Sequence, residues 1–160
     1  MKQPRFYLLG DSSANNPSAI SKEQIELWES EGIIEYLGVC DDVRGIIEAC
    51  DCVVLPSFYK EGVPRILLEA MALSKPIITT DTAGCKECIK APLNCHNGVL
   101  LGANGILCEA RSATSVQNAM LEFMRMDSQT RIELGKRGRE FAIERHDIRS
   151  VVGVYKKAIF

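Results

Sequence analysis

The hydrophobic positions of the chain fall into short continuous runs separated by longer stretches in which apolar and polar residues mix. Arg5-Phe6-Tyr7-Leu8-Leu9 stops at Gly10-Asp11, Ile33 to Leu37 is closed by Gly38, and Cys52 to Leu55 ends at a polar turn. Ile77-Ile78-Thr79 follows Lys75-Pro76, and Gly105 to Cys108 follows Asn104. Runs that stay apolar instead of alternating predict strands buried on both faces. Between them the spacing becomes helical. Ser21 with Gln24 reads as a capping box for a helix that holds Ile25 and Trp28 on one face and ends near Gly32. Asp41 and Asp42 precede a short helix through Ile46, Ile47 and Ala49, and Pro64 opens one through Leu67, Leu68, Ala70, Met71 and Ala72. Proline suits a first helical position because its missing N–H would have no partner there.

After Asp81 a turn leads to a short helical piece ending at Ile89. Ser115 to Met126 carries Val116, Ala119, Met120 and Phe123 on one face, Ser128 to Arg145 is a further helix, and Ile148 to Phe160 presents Val151, Val152, Tyr155 and Ile159. Ser12 to Ser21 reads as a loop, and Ala91 to Ala103 as an inserted loop or hairpin around Val99-Leu100-Leu101. The alternation of strands and helices predicts an α/β fold, an open and mainly parallel sheet with helices on both faces. A length of 160 residues fits a single domain over 1–160.

Composition narrows the function. A net charge of -2 argues against a nucleic-acid binder, which would show a basic surplus. No apolar run approaches the ~18 residues needed to cross a bilayer, and Met1-Lys2-Gln3-Pro4 shows no signal-peptide core, so a cytoplasmic location is expected. The seven cysteines are an odd number without the spacing of a secreted disulfide framework, and reduced, mostly buried thiols are expected.

Candidate chemistry concentrates in Leu55 to Ala72, LPSFYKEGVPRILLEAMA. A strand ends, a turn carries Glu61 and Gly62, and the helix after Pro64 holds a second acid, Glu69. In open α/β sheets ligands bind beyond the carboxyl ends of the strands, where helix N-termini offer unpaired N–H groups. The amides of Val63, Arg65 and Ile66 are suited to an anion such as a diphosphate, Gly62 allows close approach, and vicinal ribose hydroxyls suit the Glu69 carboxylate. Taken singly, Glu69 is an acid near a helix start and Glu61 a solvated loop residue.

The pair in its context resembles the donor-site signature of family 4 retaining glycosyltransferases, Glu61-GVPRILL-Glu69 followed by AMA. RFYLLGD, IIEYLGVCDDV, ACDCVVLPSFYKEGVPRILLEAMA, KPIITTDTAGCKECI and NGILCEARSATSV follow that family's order. NPSAIS at Asn16 to Ser21, YKEGVPR and TDTAGCKE resemble the subgroup that builds bacterial surface polysaccharides on lipid-diphosphate carriers. The resemblance implies the Rossmann-like C-terminal half of a two-domain GT-B enzyme. It implies Glu61 against the transferred sugar, Glu69 on the nucleotide ribose, backbone near Cys40 bracketing the base, and amides after Glu61 at the sugar and diphosphate. The donor is then a UDP-sugar carrying a hexose or N-acetylhexosamine, transferred with retention to a glycan or lipid-diphosphate-linked acceptor. No obligatory metal or other cofactor is implied, and peripheral membrane association is an expectation for the longer enzyme.

The resemblance also implies what is missing from 1–160: the first strand and helix of this half, which carry an Arg and a Lys for the diphosphate, and the whole acceptor-binding half. The chain alone is therefore expected to transfer no sugar at a useful rate. The insertion at Ala91 to Ala103 departs from the family, as does Ala83, where relatives carry glycine or proline. Alternatives are half of a UDP-sugar epimerase, which shares the fold, and a non-catalytic binding or interaction module. A nicotinamide-dependent dehydrogenase is disfavoured because no GxGxxG follows a strand.

Other clusters carry less. Cys85 and Cys88, with Cys95, His96 and Cys108, include only one CxxC where a structural zinc site needs paired knuckles, so no metal is assigned. Cys50 and Cys52 read as buried packing residues, and His146 as a capping or packing residue. The basic run of Arg131, Lys136, Arg137 and Arg139 reads as a solvated face.

Overall fold

The computed structural model describes residues 3–12, 19–91 and 93–159, and among them forms two compact units, Met1–Val43 and Arg44–Phe160. In the first, β1 (Tyr7–Leu9), α1 (Lys22–Ser30) and β2 (Glu35–Gly38) follow the predicted order. β1 and β2 are parallel, with Tyr7 opposite Glu35 and Leu8 opposite Tyr36. Ser21 caps α1 as its sequence predicts, its hydroxyl accepting from Gln24 N–H at 3.3 Å. Tyr36 donates its hydroxyl to Gly10 O (2.7 Å), and its N–H to Glu29 (2.8 Å). The NPSAIS stretch falls in part outside the described residues.

The second unit is built on a five-stranded sheet. Its elements are α2 (Arg44–Ala49), β3 (Val53–Leu55), α3 (Arg65–Ala72), β4 (Ile77–Thr80), α4 (Ala83–Lys86), β5 (Asn94–His96), β6 (Val99–Leu101), β7 (Gly105–Cys108), α5 (Ala113–Arg125), α6 (Ser128–His146) and α7 (Ile148–Ile159). The strand order is β3-β4-β7-β6-β5. β3, β4 and β7 are parallel, with Val54, Ile78 and Ile106 in register. β6 and β5 continue the sheet antiparallel to β7 and to each other. The Ala91 to Ala103 insertion is thus a hairpin that widens the sheet.

Continuous apolar strands are explained by burial on both faces. Ile77 and Ile78 are 0% and 1% exposed although they point to opposite sides. Ile78, Ile106 and Cys108 form one core with Val99 and with Ala119 and Phe123 of α5. The opposite face carries α3 and α6, which pack on each other. There Asn104, fully buried, accepts from Lys90 N–H (2.7 Å) and donates to Cys88 O (2.8 Å) and to the Met71 sulfur (3.3 Å).

Several expectations change. Pro64 is the N-cap of α3 instead of its first turn, extended at φ -67 and ψ 128, and its carbonyl accepts from Leu67 and Leu68 N–H. Lys136, Arg137 and Arg139 are exposed, as a solvated face requires, whereas Arg131 is half-buried and departs from it. Arg131 donates to Met124 O (2.7 Å) and Met126 O (3.1 Å) and lies over the Phe123 ring, while Arg139 donates to Ala72 O at the end of α3. Long cationic side chains here satisfy helix-end carbonyls that the backbone leaves open. Val152, Tyr155 and Ile159 of α7 are 41%, 66% and 70% exposed, so these apolar side chains are not buried as their spacing suggests.

Candidate functional site

The parallel register of β3, β4 and β7 brings their carboxyl ends to one edge of the second unit's sheet. The turn after β3 crosses that edge and enters α3 through Pro64. Glu61 and Gly62 are exposed in this turn, and Glu61 accepts a hydrogen bond from the Ser57 hydroxyl at 2.9 Å. Arg65 and Ile66 open the helix, so their N–H groups have no intrahelical carbonyl to reach. Val63 precedes them, half-buried beside the fully packed Pro64. The edge therefore offers backbone donors at the positive end of α3, with one carboxylate before it and one within it.

Glu69 is one-third exposed and pairs with Arg65 one turn earlier at 3.4 Å. It is not the buried acid that its apolar neighbours would allow. Arg65 is 89% exposed in its side chain, and a pair this open contributes about 0.5 kcal/mol or less, so a ligand hydroxyl competes with it readily. The other side of α3 is fixed: Leu67, Ala70 and Met71 are completely buried. Replacing Leu67 by alanine would cost about 2–5 kcal/mol, far more than the ion pair contributes. The helix is thus held by its core face, and its acid-bearing side is left free to meet a ligand.

Cys40 belongs to the first unit, exposed after β2, with its thiol donating to Asp42 O at 3.1 Å. Glu61, Gly62, Val63, Arg65, Ile66 and Glu69 are brought together on the second unit by one strand-turn-helix passage.

The cysteines are free thiols, but fewer are buried than expected. Cys85, Cys88 and Cys108 are buried, Cys50 and Cys52 are intermediate, and Cys40 and Cys95 are exposed. Burial pushes the Cys88 thiol up to about 12. Among the described residues no three metal-ligating side chains converge. His146 ends α6 with its ring edge-on to Phe141, and loss of solvent lowers its affinity for a proton. His96 meets Glu122 at 2.9 Å. Glu122 is 8% exposed and also accepts from Asn97 (2.9 Å), which ties the β5–β6 hairpin to α5. Sequence spacing gave no sign of that contact, because its partners lie on separate elements.

The model of the family described as Glycosyl transferases group 1 matches residues 1–126. A Campylobacter jejuni protein named N,N'-diacetylbacillosaminyl-diphospho-undecaprenol alpha-1,3-N-acetylgalactosaminyltransferase is 31% identical over 144 residues, covering 90% of this chain and 34% of that protein. The Vi polysaccharide biosynthesis protein VipC/TviE of Salmonella typhi is 25% identical over 157 residues, 97% of this chain and 25% of its own length. The chain thus spans a quarter to a third of these curated relatives. Among solved structures, Anabaena HepE in complex with UDP superposes with a TM-score of 0.77 at 20% identity, over 97% of this chain and 40% of that one, a likeness of fold. HepE has also been crystallised with UDP-glucose. On the family match across most of its length, the chain belongs to the group 1 glycosyltransferases.

Proposed function

We propose that this chain is the nucleotide-sugar-binding part of a retaining glycosyltransferase, one domain over 1–160, that holds a UDP-sugar along the turn and helix after β3. The observation that carries the reading is the open N-terminus of α3, preceded by exposed Glu61 and bearing half-buried Glu69, at the carboxyl edge of a parallel sheet. Glu61 meets the transferred sugar. Gly62 and the amides of Val63, Arg65 and Ile66 meet the diphosphate, and Glu69 accepts from the ribose hydroxyls.

The geometry supports a division of labour in transfer. As the bond between the anomeric carbon and the leaving diphosphate lengthens, negative charge grows on the diphosphate oxygens. N–H groups already fixed at the start of α3 stabilise that charge without reorganising. A carboxylate beside the sugar stabilises the positive charge developing at the anomeric centre and orients the hydroxyls. The HepE complexes with UDP and UDP-glucose, and the diphospho-undecaprenol substrate in the Campylobacter relative's name, favour a UDP-linked hexose or N-acetylhexosamine as donor and a glycan or lipid-diphosphate-linked acceptor. Surface-polysaccharide synthesis at the cytoplasmic face of the membrane fits these substrates, with peripheral membrane association of the longer enzyme. Among the described residues no helix is long and apolar enough to cross a membrane.

Calorimetric titration with UDP, UDP-glucose, UDP-galactose and their N-acetyl forms, on wild type and Glu69→Ala, tests the reading. Binding of UDP that weakens about tenfold or more in Glu69→Ala is the expected result, because a charged hydrogen bond to a hydroxyl contributes about 1.5–3 kcal/mol. UDP affinity unchanged by the substitution would refute the ribose role. Robust sugar transfer by the isolated chain would refute the assignment of the acceptor site to sequence outside 1–160.

A further inference from the structure

Glu61 is exposed, yet the turn that carries it is gripped from below. The Ser57 hydroxyl donates to one carboxylate oxygen of Glu61 at 2.9 Å. The Ser57 carbonyl in turn accepts from the hydroxyl of Thr80, which is fully buried at the end of β4. One position earlier on the same strand, Thr79 donates to Leu55 O at 2.9 Å. Two successive side chains of β4 thus pin the chain as it leaves β3. Such bonds from a strand side chain to a neighbouring loop carbonyl hold backbone that no ladder reaches.

A second support is steric. A Cβ added to Gly84 would lie 2.5 Å from Glu61 O and closer still to Gly62 O. Gly84 is buried in the four-residue helix α4, so the glycine serves space and not an unusual backbone angle. The carbonyl groups of Glu61 and Gly62 rest directly on α4, and no side chain fits between them.

We propose that Ser57 and Gly84 are positioning residues for Glu61. Ser57 sets the direction of the carboxylate, and Gly84 sets how near the backbone of Glu61 and Gly62 lies to α4. Neither touches the donor in this arrangement; Ser57 acts through the Glu61 side chain, and Gly84 through the backbone of Glu61 and Gly62. The inference rests on the reading of Glu61 as the group at the sugar, and predicts that disturbing Ser57 harms sugar recognition and spares the nucleotide, whereas disturbing Gly84 harms both.

The test compares UDP with UDP-glucose and UDP-N-acetylglucosamine by calorimetry on the full chain, for wild type, Ser57→Ala, Ser57→Thr, Gly84→Ala and Glu61→Gln. Ser57→Ala is expected to weaken the UDP-sugars five- to tenfold while UDP stays within twofold, Ser57→Thr to restore most of the loss because it keeps the hydroxyl, and Gly84→Ala to weaken UDP and UDP-sugars alike because it also displaces the Gly62 carbonyl and with it the Val63 amide. If Glu61→Gln abolishes the preference for UDP-sugar over UDP and Ser57→Ala does not reduce it, the positioning role is wrong and the Glu61 reading stands. If Glu61→Gln leaves the preference intact, the Glu61 reading is wrong and this inference falls with it. Nitrogen-15 relaxation of the amides of residues 59–62 in the free chain gives a readout independent of donor. Order parameters falling in Ser57→Ala and recovering in Ser57→Thr support the proposal; identical values in all three proteins overturn it.

Discussion

Gly135→Ala and Gly138→Ala make the same chemical change three residues apart on α6, and their surroundings give them opposite outcomes. At Gly138 a Cβ would sit 3.5 Å from Met71 Cγ, 3.7 Å from Asn104 Cβ and 3.8 Å from Met71 Cβ, ordinary contact distances. Alanine there adds packing and gains the helix preference of alanine over glycine, about 1 kcal/mol. At Gly135 a Cβ would lie 2.8 Å from the Ser74 carbonyl carbon and closer still to its oxygen, against the ~3.5–4.0 Å at which carbon atoms pack. The obstruction is backbone, in the connection from α3 to β4, so it cannot rotate away. The oxygen is the nearer atom and sets the movement, so the helix or the connection must shift by more than ~1 Å.

Overpacking of this kind costs about 1–3 kcal/mol and occasionally more. Contact with backbone belongs at the upper end, and after the ~1 kcal/mol helix gain Gly135→Ala should lose about 2 kcal/mol, against a gain of about 0.5–1 kcal/mol for Gly138→Ala. Urea unfolding followed by circular dichroism at the helix band reads both values from the midpoints at a common slope. Two stabilised variants, or losses of equal size, would refute the packing of α6 on α3 described above.

The other expectations are smaller in scope. Asn104→Ala leaves Lys90 N–H and Cys88 O without their buried partner and should destabilise by about 2–4 kcal/mol in the same urea assay. Asp147 binds Arg149 through both its N–H and its guanidinium, and these bonds hold its carboxyl down at about 2. A depressed carboxylate supports the folded form above its ordinary value near 4 and loses that support as pH falls towards 2, so the protection of amides in the first turn of α7, relative to their intrinsic exchange at each pH, should fall over that window and Asp147→Asn should abolish the dependence. Of the free thiols, Cys40 and Cys95 should react fastest with a disulfide reagent, and Cys88, buried and held at about 12, should react only on unfolding.

How much of this was legible in the sequence depended on range. The strands, the capping of α1 by Ser21, and the turn between Glu61 and Glu69 are local patterns, and each recurs in the structure where its residues predict it. What failed to show was contact across elements. α6 reads as a polar helix in sequence because its buried stripe is made partly of Gly135 and Gly138, which carry no hydrophobic signal and matter only where another backbone comes close. Arg131 looks solvated for the same reason: its partners are carbonyls at a helix end that no spacing rule identifies. Asn104 and Glu122 are buried polar groups whose partners lie far along the chain. In the candidate site, the acids and the glycine of the turn were readable from the motif, whereas the support of Glu61 by Ser57, Thr80 and Gly84 required β3 and β4 to be paired first.

The claim that the turn and helix after β3 hold a nucleotide-sugar is tested most directly by titrating the nitrogen-15-labelled chain with UDP and mapping the amide shifts. The largest changes should fall on Val63, Arg65 and Ile66 and extend to Glu69, saturating together with one dissociation constant. Saturable shifts confined to other elements, with the first turn of α3 unmoved, would contradict it.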